Sequence, residues 1–114
     1  MRKIEKQRYI LFKIIMEDKN VFKQEVFLNY IWQSIWKYFG MKQANKIGLW
    51  LIELDLTYSF GILRCSNETK EEVISSLTFI KQIDGNRVVI SPIKTSSTIK
   101  KIKKLKHQMI ETIK

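Results

Sequence analysis

The sequence predicts an α+β fold, a split βαβ arrangement in which four antiparallel strands carry two helices and an extra helix follows the last strand. Three observations lead there. Short β-forming runs alternate with longer helical segments in the order β-α-β-β-α-β-α. Turn residues separate them, at Gly40, at Thr57 to Ser59 and at Asp84-Gly85-Asn86. The 114 residues, 45% apolar and 28% charged, suffice for one domain over residues 1–114 but not for two.

Arg8 to Met16 (RYILFKIIM) alternates, with Ile10, Phe12, Ile14 and Met16 on one face and Tyr9, Leu11, Lys13 and Ile15 on the other, and reads as the first strand. Val21 to Phe39 is apolar enough and long enough for a helix, which Gly40 should end in a left-handed conformation. Leu49 to Leu56 (LWLIELDL) and Phe60 to Cys65 (FGILRC) read as a hairpin. Ser66-Asn67 then caps a helix from about Glu68 to Gln82, with Thr69 and Glu72 at capping-box spacing and Val73, Ile74, Leu77 and Ile80 as its stripe. Arg87 to Lys94 (RVVISPIK) is the fourth strand. Pro92 removes a ladder donor and places it at a sheet edge. The last helix starts near Ser97, with Ile99, Ile102, Leu105, Met109 and Ile113 on one side and lysines around the rest. The expected sheet order is 4-1-3-2, the ferredoxin-like or RRM-like arrangement, which sets the end of strand four beside the start of strand one.

The charge is uneven. Lys and Arg number 21 against 11 Asp and Glu, a formal net charge of +10. The excess lies at the two ends: Arg2, Lys3, Lys6, Arg8 and Lys13 stand against Glu5, and Lys94, Lys100, Lys101, Lys103, Lys104, Lys106 and Lys114 against Glu111. Residues 14–93 balance. If strands one and four meet as expected, the two ends form one basic surface on a neutral body, the footprint of a nucleic-acid binder rather than of a membrane protein. Two solvated tails are the alternative.

Many proteins of this architecture stack RNA bases on aromatics of the central strands. Here Ser59-Phe60-Gly61-Ile62-Leu63-Arg64-Cys65 lacks the basic-glycine-aromatic opening and the closing aromatics of that signature. The face away from the first two helices would show Leu11, Ile15, Ile62, Val89 and Ile93, too apolar to leave in water. The last helix is expected to cover it, turning its lysines outward. Recognition of RNA shape and phosphate is therefore favoured over base stacking.

At this point the sequence resembles archaeal ribonuclease P protein component 2 and its eukaryotic counterparts. The matching pieces are Arg8-Tyr9-Ile10-Leu11-Phe12, Gly61-Ile62-Leu63-Arg64-Cys65, Ser76-Leu77 followed by Gly85, and Thr95-Ser96-Ser97-Thr98-Ile99-Lys100. They cover nearly the whole chain in order. Ser97 stands where the family usually has glycine. The resemblance implies a protein subunit of ribonuclease P, which removes the 5′ leader from precursor tRNA with Mg²⁺ ions held on the RNA. The protein itself would bind no cofactor and would not be catalytic alone. The implied partners are ribonuclease P RNA, precursor tRNA indirectly, and protein component 3, with two such pairs associating as a dimer of heterodimers.

The candidate RNA contacts are Arg2, Lys3, Arg8, Arg64, Ser96, Ser97, Thr98, Lys100, Lys101, Lys103 and Lys104, with Lys106 on the same helix. Ser96, Ser97 and Thr98 sit at a helix start, suited either to a phosphate or merely to capping. Arg64 needs an anionic partner, a phosphate or else Glu53 or Asp55 across the hairpin. The first helix carries more aromatics than one face can bury, and Phe22, Phe27, Trp32, Trp36 and Tyr38 are the candidate protein interface; wrapping by nearby loops is the alternative. Cys65 alternates with Leu63 and should face the core. His107, the single histidine, lacks an acidic partner at helical spacing. There is no Cys/His metal spacing, no glycine-rich phosphate loop and no signal-peptide pattern, since Lys13 and Glu17 break the N-terminal segment. A cytoplasmic accessory subunit is the leading expectation. Another basic structured-RNA or ribosome-binding module comes second, and a nuclease using Asp55 or Glu53 last.

Overall fold

A computed structural model of the chain describes residues 6–17 and 21–113. The elements are β1 (Gln7–Met16), α1 (Gln24–Ala44), β2 (Trp50–Asp55), β3 (Phe60–Ser66), α2 (Lys70–Phe79), β4 (Gln82–Ile83), β5 (Asn86–Ser96) and α3 (Ile99–Ile113). The strands form one antiparallel sheet in the order β2-β3-β1-β5-β4.

The sheet thus has five strands where four were expected. The added one, β4, begins at Gln82, where the expected second helix was to end. Asp84 and Gly85 both take positive φ, 51° and 81°, which closes a two-residue hairpin between β4 and β5. α2 stops at Phe79, since Ile80 is already extended. Its expected capping box does not form: Thr69 makes no cap bond and lies 2.6 Å from the Ser66 hydroxyl, while Glu72 accepts from Gln43 of α1 at 3.1 Å.

α1 also departs from expectation. Gly40 does leave the helical conformation, at φ 82° and ψ 167°, but the chain resumes a helical turn to Ala44. That φ/ψ region is open essentially to glycine alone, so Gly40 acts as a kink rather than a terminator.

Pro92 is accommodated by two features. β4 pairs only with Asn86 and Arg87, so the outer side of β5 is open at Pro92. On the inner side the register jumps, Leu11 facing Lys94 and Phe12 facing Pro92, which leaves Ile93 as a bulge. A second bulge sits in β2, where Leu51 faces Leu63 but Glu53 faces Ile62, leaving Ile52 unpaired.

The sheet separates two cores. On one face Ile10, Phe12, Ile14, Leu63, Cys65, Val88 and Ile90 pack under Phe27, Ile31 and Ile35 of α1 and Val73 and Leu77 of α2. The Phe12 ring lies over Gly61, its partner on β3, and stacks on Phe27 at 5.5 Å. A Cβ on Gly61 would come within 2.2 Å of the Phe12 ring, so glycine is required there. On the other face Leu11, Phe60 and Ile62 pack against Ile102 and Ile110 of α3.

α3 covers that second face only in part. Leu11 and Ile62 are buried and Ile93 packs beside them, but Ile15 and Val89 stay 52% and 57% exposed. α3 crosses from the end of β5 towards the edge strand β2, where Lys106 meets Glu53 and Asp55, and so leaves Ile15 and Val89 uncovered.

Candidate nucleic-acid interface

α3 sets the site. Its line of burial runs Ile102, Lys106, Ile110, and Ile113 at its end is exposed. Lys100, Lys101, Lys103 and Lys104 are all exposed, turned away from the sheet. Lys106 is not, which corrects its assignment as a phosphate contact. Its ammonium is buried between Glu53 Oε1 at 2.9 Å and Asp55 Oδ2 at 3.2 Å, tying α3 to the edge strand β2. Burial pulls the Lys106 pKa down, but hydrogen bonds to Glu53 and Asp55 and their charges outweigh it and hold the pKa above the ordinary lysine value. Burial likewise pushes Asp55 up. The Lys106 hydrogen bond, the Tyr58 N–H, the Lys106 charge and the Thr57 N–H together hold it below the ordinary carboxylate value.

Of the two partners left open for Arg64, the internal one is taken, since Glu53 and Asp55 both hold Lys106. Arg64 instead lies over the Trp50 ring, 5.4 Å from its centroid, and its Nε–H is buried with no acceptor. The sheet register puts Trp50, Arg64, Tyr9 and Ser96 in one row across four strands, on the face that α3 partly covers. The row lies at the end of the sheet where α3 begins. Ser96 Oγ accepts from the Thr98 N–H at 3.2 Å, a local turn bond, and Ser97 and Thr98 are exposed beside it.

Arg8 does not join this row. Neighbours along a strand alternate faces, so Arg8 stands with Ile10 and Phe12 on the α1 side, its Nη1 donating to the Gln7 carbonyl at 2.8 Å. Arg2 and Lys3 lie outside the described residues. Cys65 is fully buried, and burial pushes its thiol up to about 11, so it carries no thiolate near neutrality. Among the described residues no group of three or more His, Cys, Asp or Glu could hold a metal, and no helix is long and apolar enough to cross a membrane.

The order of elements, the basic helix and the Arg64 row accompany a clear relationship. The Rpp14/Pop5 family model matches residues 8–105, nearly the full length described. The chain belongs to the Rpp14/Pop5 family. It is similar to ribonuclease P protein component 2 of Pyrococcus furiosus, 37% identical over 100 residues covering 88% of this chain and 82% of that protein. The protein of the same name from Methanocaldococcus jannaschii is 34% identical over 99 residues, covering 87% and 71%. In fold, the chain is similar to one in the cryo-EM structure of yeast ribonuclease MRP, with a TM-score of 0.69, 14% identity and coverage of 98% and 99%.

In this Rpp14/Pop5 chain the aromatics of the first helix segment divide sharply. Phe22 and Phe27 are buried and stack on each other at 5.8 Å, so their side chains form no surface; this corrects their place in the expected protein interface. Trp36 and Tyr38 are exposed and Trp32 is half-buried. Trp32 and Trp36 stack at 6.2 Å, and Tyr38 packs on Phe79 of α2 at 4.2 Å. Sequence reasoning missed Trp50. An unbulged hairpin would set Leu51 opposite Arg64, and only the extra residue at Ile52 brings Trp50 there.

Proposed function

We propose that this chain is a protein subunit of ribonuclease P that binds and stabilises the catalytic RNA for 5′-leader removal from precursor tRNA. The observation that carries the proposal is the Rpp14/Pop5 match over residues 8–105 on a chain whose last helix turns Lys100, Lys101, Lys103 and Lys104 to solvent. Exposed lysines along one helix offset phosphate repulsion where RNA segments approach each other. Folding of the RNA would then need less Mg²⁺. The ions stay on the RNA, and the protein alone cleaves nothing.

The scaffold we assign to this role is a split βαβ sheet, with β5-β1-β3-β2 as its frame and β4 and α3 as additions. The exposed Trp36 and Tyr38, with Trp32 beside them, are the surface assigned to protein component 3 or to a second such pair in a dimer of heterodimers. A cytoplasmic location goes with this role.

The test is precursor-tRNA cleavage by the cognate RNA, with and without this chain and component 3, titrated in Mg²⁺. Cleavage at lower Mg²⁺ only when both proteins are present supports the subunit and the pairing together. No change would return the chain to a basic structured-RNA or ribosome-binding module of another particle.

A further inference from the structure

We infer that Trp50 and Arg64 form a stacking subsite for one unpaired RNA base at the open edge of the sheet. The inference rests on the RNA-binding proposal above and adds a second mode of contact to it. On the two central strands, the positions where a sheet of this kind could stack bases are taken: Leu11, Phe60 and Ile62 lie buried under α3. Base stacking is displaced from there to the part of this face that α3 does not cover at the start of the edge strand β2.

Trp50 stands in that part. It opens the edge strand β2, is 61% exposed, and has the Arg64 guanidinium against its ring. An exposed tryptophan held by a neighbouring arginine presents a flat π surface whose orientation is already fixed, which lowers the entropic cost of stacking a base on it. The ring is steadied by a cation that makes no ion pair among the described residues, since Glu53 and Asp55 are committed to Lys106. A nucleotide brings what the Arg64 guanidinium lacks, the negative charge of a phosphate as counterion. Ser97, Thr98 and Lys101, beyond the Ser96 end of this row, are exposed towards phosphates further along the bound strand. An unpaired base is the occupant that fits, because a base inside a duplex has no free face to offer.

The experiment uses the full chain with two probes, an oligouridylate and a fully paired RNA duplex carrying the same number of phosphates. In a Trp32→Phe/Trp36→Phe background Trp50 is the remaining tryptophan. Oligouridylate should quench its fluorescence and the duplex should not. Trp50→Ala should weaken oligouridylate binding about five- to a hundredfold while duplex binding changes by less than about twofold, and Trp50→Phe should recover most of the loss. Equal losses for both probes, or no quenching by an oligouridylate that binds, would overturn the subsite and leave the lysine-based RNA contact standing. Binding of neither probe would overturn the RNA-binding proposal and the subsite with it. Because Trp50 is exposed at the first position of an edge strand, its replacement leaves the cores intact.

Discussion

Replacing Lys100, Lys103 and Lys104 together by alanine isolates the phosphate contribution of α3. All three are exposed and, among the described residues, none is in an ion pair, so their removal changes the surface field without opening the core beneath Ile102 and Ile110. Each lysine that neutralises one phosphate adds about 0.7–0.9 to the slope of log affinity against log salt. Loss of three such contacts should flatten that slope by about 2–3. Between about 50 and 200 mM salt the unmodified chain should therefore lose about 20–40-fold more affinity than the variant. Fluorescence anisotropy with a labelled structured RNA at several salt concentrations measures both slopes. Thermal unfolding serves as the control, since exposed replacements of this kind shift stability by no more than about 0.5 kcal/mol. An unchanged slope in a folded variant would show that α3 does not face the phosphates, and the RNA-binding proposal would fail there.

Three further outcomes concern the fold that holds the site. Gly61→Ala should destabilise the chain by about 1–3 kcal/mol in urea unfolding, because its Cβ would meet the Phe12 ring at 2.2 Å; adding Phe12→Leu should return part of the loss. Gly40→Ala should cost about 1–3 kcal/mol although nothing lies within 4 Å of the new methyl group, since the penalty is that of φ 82°, ψ 167° for a residue with a Cβ. Lys106→Ala should cost less than the about 3–5 kcal/mol typical of a broken buried pair, because the Glu53 and Asp55 side chains it leaves are 39% and 24% exposed. The same pair sets a pH window. The lowered Asp55 pKa stabilises the fold fully above the ordinary 3.8, and that stability is lost as pH falls through the folded-state value. The raised Lys106 pKa stabilises it fully below the ordinary 10.5, and that stability is lost as pH rises through the folded-state value. Lys106→Met should flatten both limbs of the profile of unfolding free energy against pH.

The parts of the fold legible in the sequence are those with long, unbroken periods. Ile10, Phe12 and Ile14 alternate without interruption, and they face the core together. The apolar spacing of α3 announces a helix packed on one side, and the lysines between show what it turns to solvent. What could not be read depends on single residues out of period. Ile52 and Ile93 each add one residue to a strand, and a count along the sequence assumes none. β4 has two residues, too few for any period, and its sign was the Asp84-Gly85 pair, read only as a turn. Lys106 is chemically the same as its exposed neighbours; only the acids of β2, distant in sequence, distinguish it.

That inward lysine governs how α3 is rotated about its own axis. A helix with lysines at 100, 101, 103, 104 and 106 offers several nearly equivalent ways to lie on an apolar sheet, differing by a fraction of a turn. Turning it would lift one ammonium away from two carboxylates and strand them, so a single angular setting is selected. The remaining lysines are then free of any duty toward the fold. Their number and spacing can drift, or be redesigned for a different RNA contour, while the helix keeps its seat.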